Sequence, residues 1–278
     1  MEIDIDHLKG WIGQTRECRD TISPRLANSL AAVLDEPPTL REGDMSPPGI
    51  HWCLSPDIAP MSGLGLDGHP ARGNFLPPVP LPRRMWAGGE LSFSDEFRVG
   101  DEIVRHSRVA DVSMKTGRTG ILCFVTVNHD YHGPRGQIVG ERHNIVYRSL
   151  EVSSGGAARE DALPLPEASH TVEATSTLLA RYSAVTFNGH RIHYDRDYCL
   201  REESYPGLLV HGPLQATFLL RLARRMNEDR PIHRFTFRGM SPLFDGGQFT
   251  VNGAQIEGDR HLWVRSASGG ITMRAVFE

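Results

Sequence analysis

The chain has 278 residues, 34 acidic and 30 basic side chains and a formal net charge of −4. No run approaches the ~18 apolar residues of a membrane span, and no Lys/Arg-rich patch offers a nucleic-acid footprint. The length suffices for one large domain or for two of roughly 100–150 residues each.

The acidic start MEIDIDHLKG has no basic region followed by an apolar core, so no signal peptide is expected. Residues 4–34 read as helix. Leu8, Trp11 and Ile12 fall at helical spacing, as do Leu26, Leu30 and Leu34, and Ser23-Pro24 is a cap followed by a first-turn proline. Pro37-Pro38 stops that helix.

Residues 40–88 read as irregular, because their prolines remove ladder donors. The same segment carries Trp52, Phe75, Leu76, Met85 and Trp86, so it is expected to pack over a core or a site. Between 89 and 148, LSFSDEFRV, EIVRHSRVADV, ILCFVTVNH and IVGERHNIVYR are strand-like, and short Gly-containing spacers favour antiparallel hairpins. Residues 151–167 have linker composition. A helical stretch near 177–184 follows, then a helix GPLQATFLLRLARRM with Leu214, Phe218, Leu222 and Met226 on one stripe. The tail returns to strands, and Ile271, Met273, Ala275 and Phe277 alternate as in a half-buried strand.

FSDEFRVGDEIV and FRGMSPLFDGGQFTV share a phenylalanine start, a Gly/Asp turn and an apolar restart, which suggests an internal duplication. The central helix is clear only in the second copy. Residues 1–150 then form a degenerate first half with a helical start and a proline-rich loop, 151–168 a linker, and 169–278 the more regular half.

Cys18, Cys53, Cys123 and Cys199 lie far apart without a CxxC pair, as in a reducing cytosol. Cys199 stands near histidines, yet nothing around it marks a stabilised thiolate. Only Lys9 and Lys115 are lysines, whereas histidines number 13. GLGLDG at 63–68 matches a dinucleotide-binding fingerprint by letter, but it lacks a preceding strand and a following helix, so it reads as a turn. His129/His132 and His190/His193 have the spacing of paired metal ligands without an evident third. HDYH at 129–132 reads as a solvated turn, and no metal is expected.

FNGHRIHYD at 187–195 and LLVHGPLQ at 208–215 carry the chemistry. Gly212 opens an apolar helix, and a buried helix N-terminus presents unpaired N–H groups that stabilise an enolate-like thioester oxygen. A nearby histidine can move a proton at neutral pH.

Together these motifs resemble the MaoC-like, or type 2, hydratase/dehydratase family. Tyr182-Ser183 opens the first motif, Asn188 stands at its acidic position, and His193 at its catalytic histidine. PGLLVHG at 206–212 matches the second motif. The first half resembles that of the two-hotdog subgroup, which includes mesaconyl-C4-CoA and itaconyl-CoA hydratases and mitochondrial hydroxyacyl-thioester dehydratases.

The resemblance implies an α+β double hotdog, with antiparallel sheets each wrapped around a central helix. It implies an acyl-CoA substrate, no metal or redox cofactor, a cytoplasmic site of action, and a homodimer or higher homo-oligomer. His193, Asn188 and Gly212 would be catalytic. Tyr182, Arg191, Arg83, Arg84, Trp86, Val210 and His211 would bind substrate. The implied reaction adds water to a short dicarboxylic enoyl-CoA, itaconyl-CoA or mesaconyl-C4-CoA, giving citramalyl-CoA. The alternatives are dehydration of fatty 3-hydroxyacyl thioesters, or acyl-CoA binding without turnover. Asn188 departs from the pattern, since an amide positions water but cannot take its proton. Asp195 and Glu203 are the carboxylates nearest in sequence. Arg83, Arg84, Arg181 and Arg191 lie in or beside the motifs and suit carboxylate or phosphate contacts.

Overall fold

The computed structural model describes residues 3–117, 120–149 and 163–278. The chain opens with helix α1 (Ile5–Lys9), strand β1 (Thr15–Thr21) and helix α2 (Pro24–Val33). The strand corrects the expectation of helix over 4–34. TRECRDT alternates between half-buried and exposed side chains. A polar edge strand has no apolar stripe of its own, so the leucines on either side lent it their period. The Ser23 cap is present, with Oγ accepting from the Leu26 N–H at 3.2 Å and Pro24 in the first turn.

Residues 34–82 hold only two 3-10 turns, Ile50–Cys53 and Met61–Gly63. Strand β2 (Arg83–Phe93) then begins directly after Pro82, so residues 83–88 are ladder rather than loop. Once the prolines end, nothing withholds the backbone donors. The expected strand LSFSDEFRV breaks after Phe93, and its second part is the turn into β3 (Glu102–Gly117). Strands β4 (Gly120–Gly133) and β5 (Gly136–Arg148) complete the first half.

The linker composition at 151–167 falls largely on residues 150–162, outside the described residues. Strand β6 (Ala168–Glu173) carries no apolar run and escaped the sequence reading. After it come α3 (Ser176–Val185), α4 (Arg196–Arg201), α5 (Gly212–Met226) and strands β7 (Arg234–Gly239), β8 (Gln248–Ile256), β9 (Asp259–Ser266) and β10 (Ile271–Phe277). No helix among the described residues is long and apolar enough to cross a membrane.

All strands join one antiparallel sheet in the order β1-β3-β4-β5-β2-β7-β10-β9-β8-β6. Each half numbers its own strands 1-3-4-5-2 outward to inward, so the duplication is topological. The seam is β2 against β7, with Gly89 opposite Phe237 and Leu91 opposite Phe235. Helix α5 packs on β8, β9 and β10 and reaches β2 and β7 at the seam. Residues Leu214 to Ala223 of this helix are all buried, and each large apolar side chain contributes about 1.5–3 kcal/mol by leaving water. Arg221 lies off the apolar stripe but is buried too, paired with Glu36 at 2.6 Å and donating to the Leu34 carbonyl at 2.8 Å.

The first half has no counterpart of α5 among the described residues. On β4 and β5 the register sets Cys123 opposite Tyr147, Val125 opposite Ile145, Val127 opposite His143, His129 opposite Glu141 and Tyr131 opposite Val139. These residues share one face. Phe75, Val79 and Leu81 cover its apolar end near Cys123, and Ile50, Cys53 and Leu54 cover the end near Tyr131. Between the two covers lie His129, Glu141 and His143. The proline-rich segment thus packs over the sheet, as its apolar residues require. HDYH is strand, not a solvated turn. Its period-2 pattern continues from Val125 and Val127 through His129 to Tyr131, and His129 is buried against the Ser107 hydroxyl at 2.8 Å.

Candidate active site

Helix α3 ends at Val185, and Phe187 turns the chain with φ 51°. The Asn188 N–H donates to the Ser183 carbonyl at 2.8 Å. Its side-chain Oδ1 accepts from the His190 N–H at 3.0 Å, which opens a 3-10 turn over Arg191–His193. This turn buries His193. Its Nδ1–H donates to the Leu209 carbonyl at 2.7 Å, which leaves Nε2 as an acceptor. The Leu209 N–H donates in turn to the Ile192 carbonyl at 2.9 Å, so both motif segments are laced together.

His211 precedes α5 as its cap residue and is wholly buried. Its ring stacks on His193 with centroids 3.6 Å apart, and its Nε2 shares a hydrogen bond with the Ser183 hydroxyl at 2.9 Å. Tyr182 meets the same ring edge-on at 4.9 Å. Burial pushes the His193 pKa down to about 3 and holds His211 well below its usual range. Both rings are therefore neutral at neutral pH.

The first turn of α5 has no intrahelical partners for its N–H groups. At Gly212 an added Cβ would stand 2.9 Å from Trp86 Cε3, so only glycine lets Trp86 close against this turn. Trp86 stacks on Phe237 at 4.5 Å and meets Trp52 edge-on at 5.4 Å.

A cavity of about 570 Å³ joins these groups. His193, Asn188, Gly212, Tyr182, Val210, Trp86, Arg83 and Arg84 line it. Two residues expected to bind substrate do not. His211 lies behind His193, and Arg191 is turned to Asp195 at 2.8 Å and over the Tyr198 ring at 4.2 Å. Arg83 is buried in a pair with Glu203 at 2.8 Å. Asp195 also caps α4 by accepting from the Tyr198 N–H at 3.0 Å and is no part of the lining. The Cys199 thiol lies outside the lining, donates to the Ile192 carbonyl at 3.2 Å, and is raised to about 11 by burial.

Two groups of lining residues were missed in the sequence. The first is the polar middle of the β4–β5 face, His129, Glu141 and His143, joined by Arg105 and Arg148. Glu141 accepts from Trp52 Nε1 at 3.0 Å and from the Tyr131 hydroxyl at 3.2 Å, and burial raises its pKa. Its signal was a strand alternation interrupted by polar residues. The second is His69 and Pro70, in the loop that carries the glycine turn at 63–68, with Asp67 held against His69 outside the lining. That loop lies on the FNGHRIHYD segment. The Arg191 N–H donates to the Asp67 carbonyl at 2.9 Å, and an added Cβ on Gly68 would stand 2.1 Å from the Gly189 carbonyl oxygen. His69 accordingly reaches His190, with ring centroids 4.2 Å apart.

A family profile described as hydroxyacyl-thioester dehydratase type 2 matches residues 49–245. The chain is 40% identical over 271 residues to a mesaconyl-C(4)-CoA hydratase of Chloroflexus aurantiacus, covering 96% of each chain. Its fold is similar to that of a MaoC-like dehydratase from Phytophthora capsici, with a TM-score of 0.70, 14% identity and 99% of each chain covered. It is also similar to a Mycobacterium tuberculosis protein described as a double hotdog, with a TM-score of 0.55, 13% identity and coverage of 98% of this chain and 96% of that one.

Proposed function

We propose a function from one premise: the chain belongs to the hydroxyacyl-thioester dehydratase type 2 family. It is a hydro-lyase of the hydratase–dehydratase kind, with the double hotdog fold. Within that class we assign it the hydration of a short dicarboxylic enoyl-CoA, mesaconyl-C4-CoA or itaconyl-CoA, to citramalyl-CoA.

The observation that carries the choice of substrate is the cavity wall. Arg84, Arg105 and Arg148 line it; Arg105 faces the buried Glu141, whereas Arg84 and Arg148 make no ion pair with a carboxylate among the described residues. Arginines without a counter-ion suit a substrate that brings its own carboxylate. A long fatty chain would need an apolar tunnel instead, and the polar middle of the β4–β5 face does not supply one.

In this reading the thioester carbonyl lies at the first turn of α5. The Gly212 region polarises it and holds the enolate oxygen as charge develops. His193 Nε2 accepts a hydrogen bond from the attacking water and points its oxygen at Cβ. Tyr182 and Val210 wall the reacting carbons, and Trp86 closes the cavity against the helix. The free carboxylate belongs with the cavity's arginines. Arg191 fixes the loop over residues 66–68 rather than meeting substrate.

The test is a panel of enoyl-CoAs, mesaconyl-C4-CoA, itaconyl-CoA and a long-chain 2-enoyl-CoA, scored by the mass gain of one water. Preference for the dicarboxylic thioesters is expected. Preference for the long chain would move the assignment to fatty hydroxyacyl thioesters, and thermal stabilisation by CoA without turnover would leave a binding protein. The reading includes a cytoplasmic enzyme that forms a homodimer or larger homo-oligomer. Among the described residues β1 and β6 each pair on one side only, leaving ladders that a second copy could occupy. Molar mass in solution tests the oligomer.

A further inference from the structure

The hydratase reading leaves one proton without a destination. Asn188 cannot accept it, because an amide is not a base and its Oδ1 already serves the His190 N–H. The His193 Nδ1–H is held by a backbone carbonyl, so no carboxylate would balance the charge if that ring were protonated. Asp195 is bound by Arg191 and caps α4, and Glu203 is bound by Arg83. The two carboxylates nearest in sequence are therefore both committed elsewhere.

A third carboxylate reaches the histidines from the first half. Asp67 Oδ2 lies 3.3 Å from His69 Nδ1, and Asp67 Oδ1 accepts from the His69 N–H at 3.0 Å. The His69 ring stands 4.2 Å from that of His190, which is 5.5 Å from that of His193. His69, Asn188, His190 and His193 all line the same cavity. With Nδ1–H donated to Asp67, the remaining lone pair of His69 is on Nε2.

We infer that His69, oriented and charge-balanced by Asp67, is the proton-transferring group of this site and does the work of the carboxylate absent at position 188. The inference rests on the hydratase reading above. As the water oxygen bonds to Cβ of mesaconyl-C4-CoA, whose double bond is conjugated with the thioester, one water proton passes to His69 Nε2. The electron pair of the double bond moves to Cα and onto the thioester oxygen. The proton on His69 is then delivered to Cα, the carbonyl re-forms, and one water has been added with the enzyme unchanged. Asp67 is the positioning residue, and its negative charge stabilises the imidazolium of the intermediate.

The charge environment agrees. Burial and Arg84 push the His69 pKa down to about 4, while Asp67 works to raise it. The His69 hydrogen bond and charge outweigh burial at Asp67 and hold its carboxyl below the usual range. The groups facing His69 are Asp67, Arg72, Arg84, His190 and His193. The ring is neutral, and so a base, at neutral pH.

The experiment compares wild type, His69→Gln, Asp67→Asn and Asp67→Asn/Asn188→Asp on the best enoyl-CoA, with thermal midpoints to confirm folding. Both single variants should lose about 10²- to 10⁴-fold in kcat with KM little changed. Asp67→Asn should also move the acid limb of the kcat profile to lower pH, because His69 loses the charge that raises its pKa. Restoring a carboxylate at 188 should recover part of the rate. Near-wild-type kcat in folded single variants overturns the inference while wild-type turnover upholds the hydratase. Absence of turnover in the wild type removes both. Asp67, His69 and His190 also present ligand atoms within 4.8 Å of one another. One equivalent of metal in the purified protein, with activity lost on chelation, would likewise overturn the proton-transfer role.

Discussion

The two halves of the sheet have the same strand order and opposite interiors. In the second half α5 fills the concave face with Leu214, Phe218 and Leu222, and its first turn becomes a reactive surface. In the first half that face is covered only at its two ends, by Phe75, Val79 and Leu81 and by Ile50, Cys53 and Leu54. The middle is open and polar. The comparison teaches that a duplicated fold can surrender a central element if irregular chain caps the exposed core. The space released then becomes room for substrate. The thioester end of the site stays with the helix, while the half that lost its helix lends the proton carrier His69 and the arginines that select the substrate.

The largest expected effect breaks this division at the second half. His193→Ala should lower kcat by about 10³-fold while circular dichroism stays native. His51 is as deeply buried in the first half, yet His51→Phe should leave kcat far closer to wild type. Equal losses would mean that burial of a histidine, rather than its place beside the first turn of α5, decides the rate. Next, Gly212→Ala forces a methyl into Trp86 and should cost about 10²-fold in kcat. A structure of the variant should show Trp86 displaced from the start of α5.

A smaller effect sharpens the role of the first half. Arg84→Gln should raise KM for a dicarboxylic enoyl-CoA about tenfold, or 1.4 kcal/mol, and should leave an uncharged short enoyl-CoA unaffected. Acid stability probes the same interior. Burial holds His51, His143 and His193 near 3 in the folded protein, against 6.5 ordinarily. Between those values the unfolded chain binds more protons. Stability is therefore full above pH 6.5 and is lost as pH falls toward 3. Two of these three rings belong to the first half, so His51→Phe should flatten the loss in a denaturant titration repeated across that range. The smallest effects test the symmetry itself. Ser23 caps α2 and Thr175 caps α3, by the same bond to the residue three positions on. Ser23→Ala and Thr175→Ala should each cost about 1 kcal/mol, and unequal thermal shifts would show that the equivalent helices bear unequal load.

Much of the second half was legible in the sequence because its signals are local. The apolar period of α5, the glycine at its start and the histidine spacing all lie within short windows. The doubled strand pattern was also visible from the two Phe-to-Gly/Asp restarts. What escaped is non-local. β1 and β6 are polar edge strands, and edge strands carry little period of their own. His129, Glu141 and His143 acquire meaning only when β4 and β5 align in register across a hairpin. Asp67 and His69 stand more than a hundred positions from His190 and His193, and only folding brings the loop to them. The Arg191–Asp195 pair was equally hidden. An arginine inside a motif looks available until its neighbour one helical turn away is seen to hold it.

The backbone contact between Gly68 and Gly189 reaches beyond this molecule. Two residues in different halves press main chain on main chain, and a side chain on Gly68 would collide with the opposing carbonyl. Neither position can drift alone. Across related chains the pair should covary, kept together or replaced together, and where both glycines persist an Asp-Gly-His triplet should accompany them. The contact thus supplies a genomic fingerprint. It would separate chains whose proton acceptor comes from the first half from those that keep an acidic residue at position 188, before any protein is made.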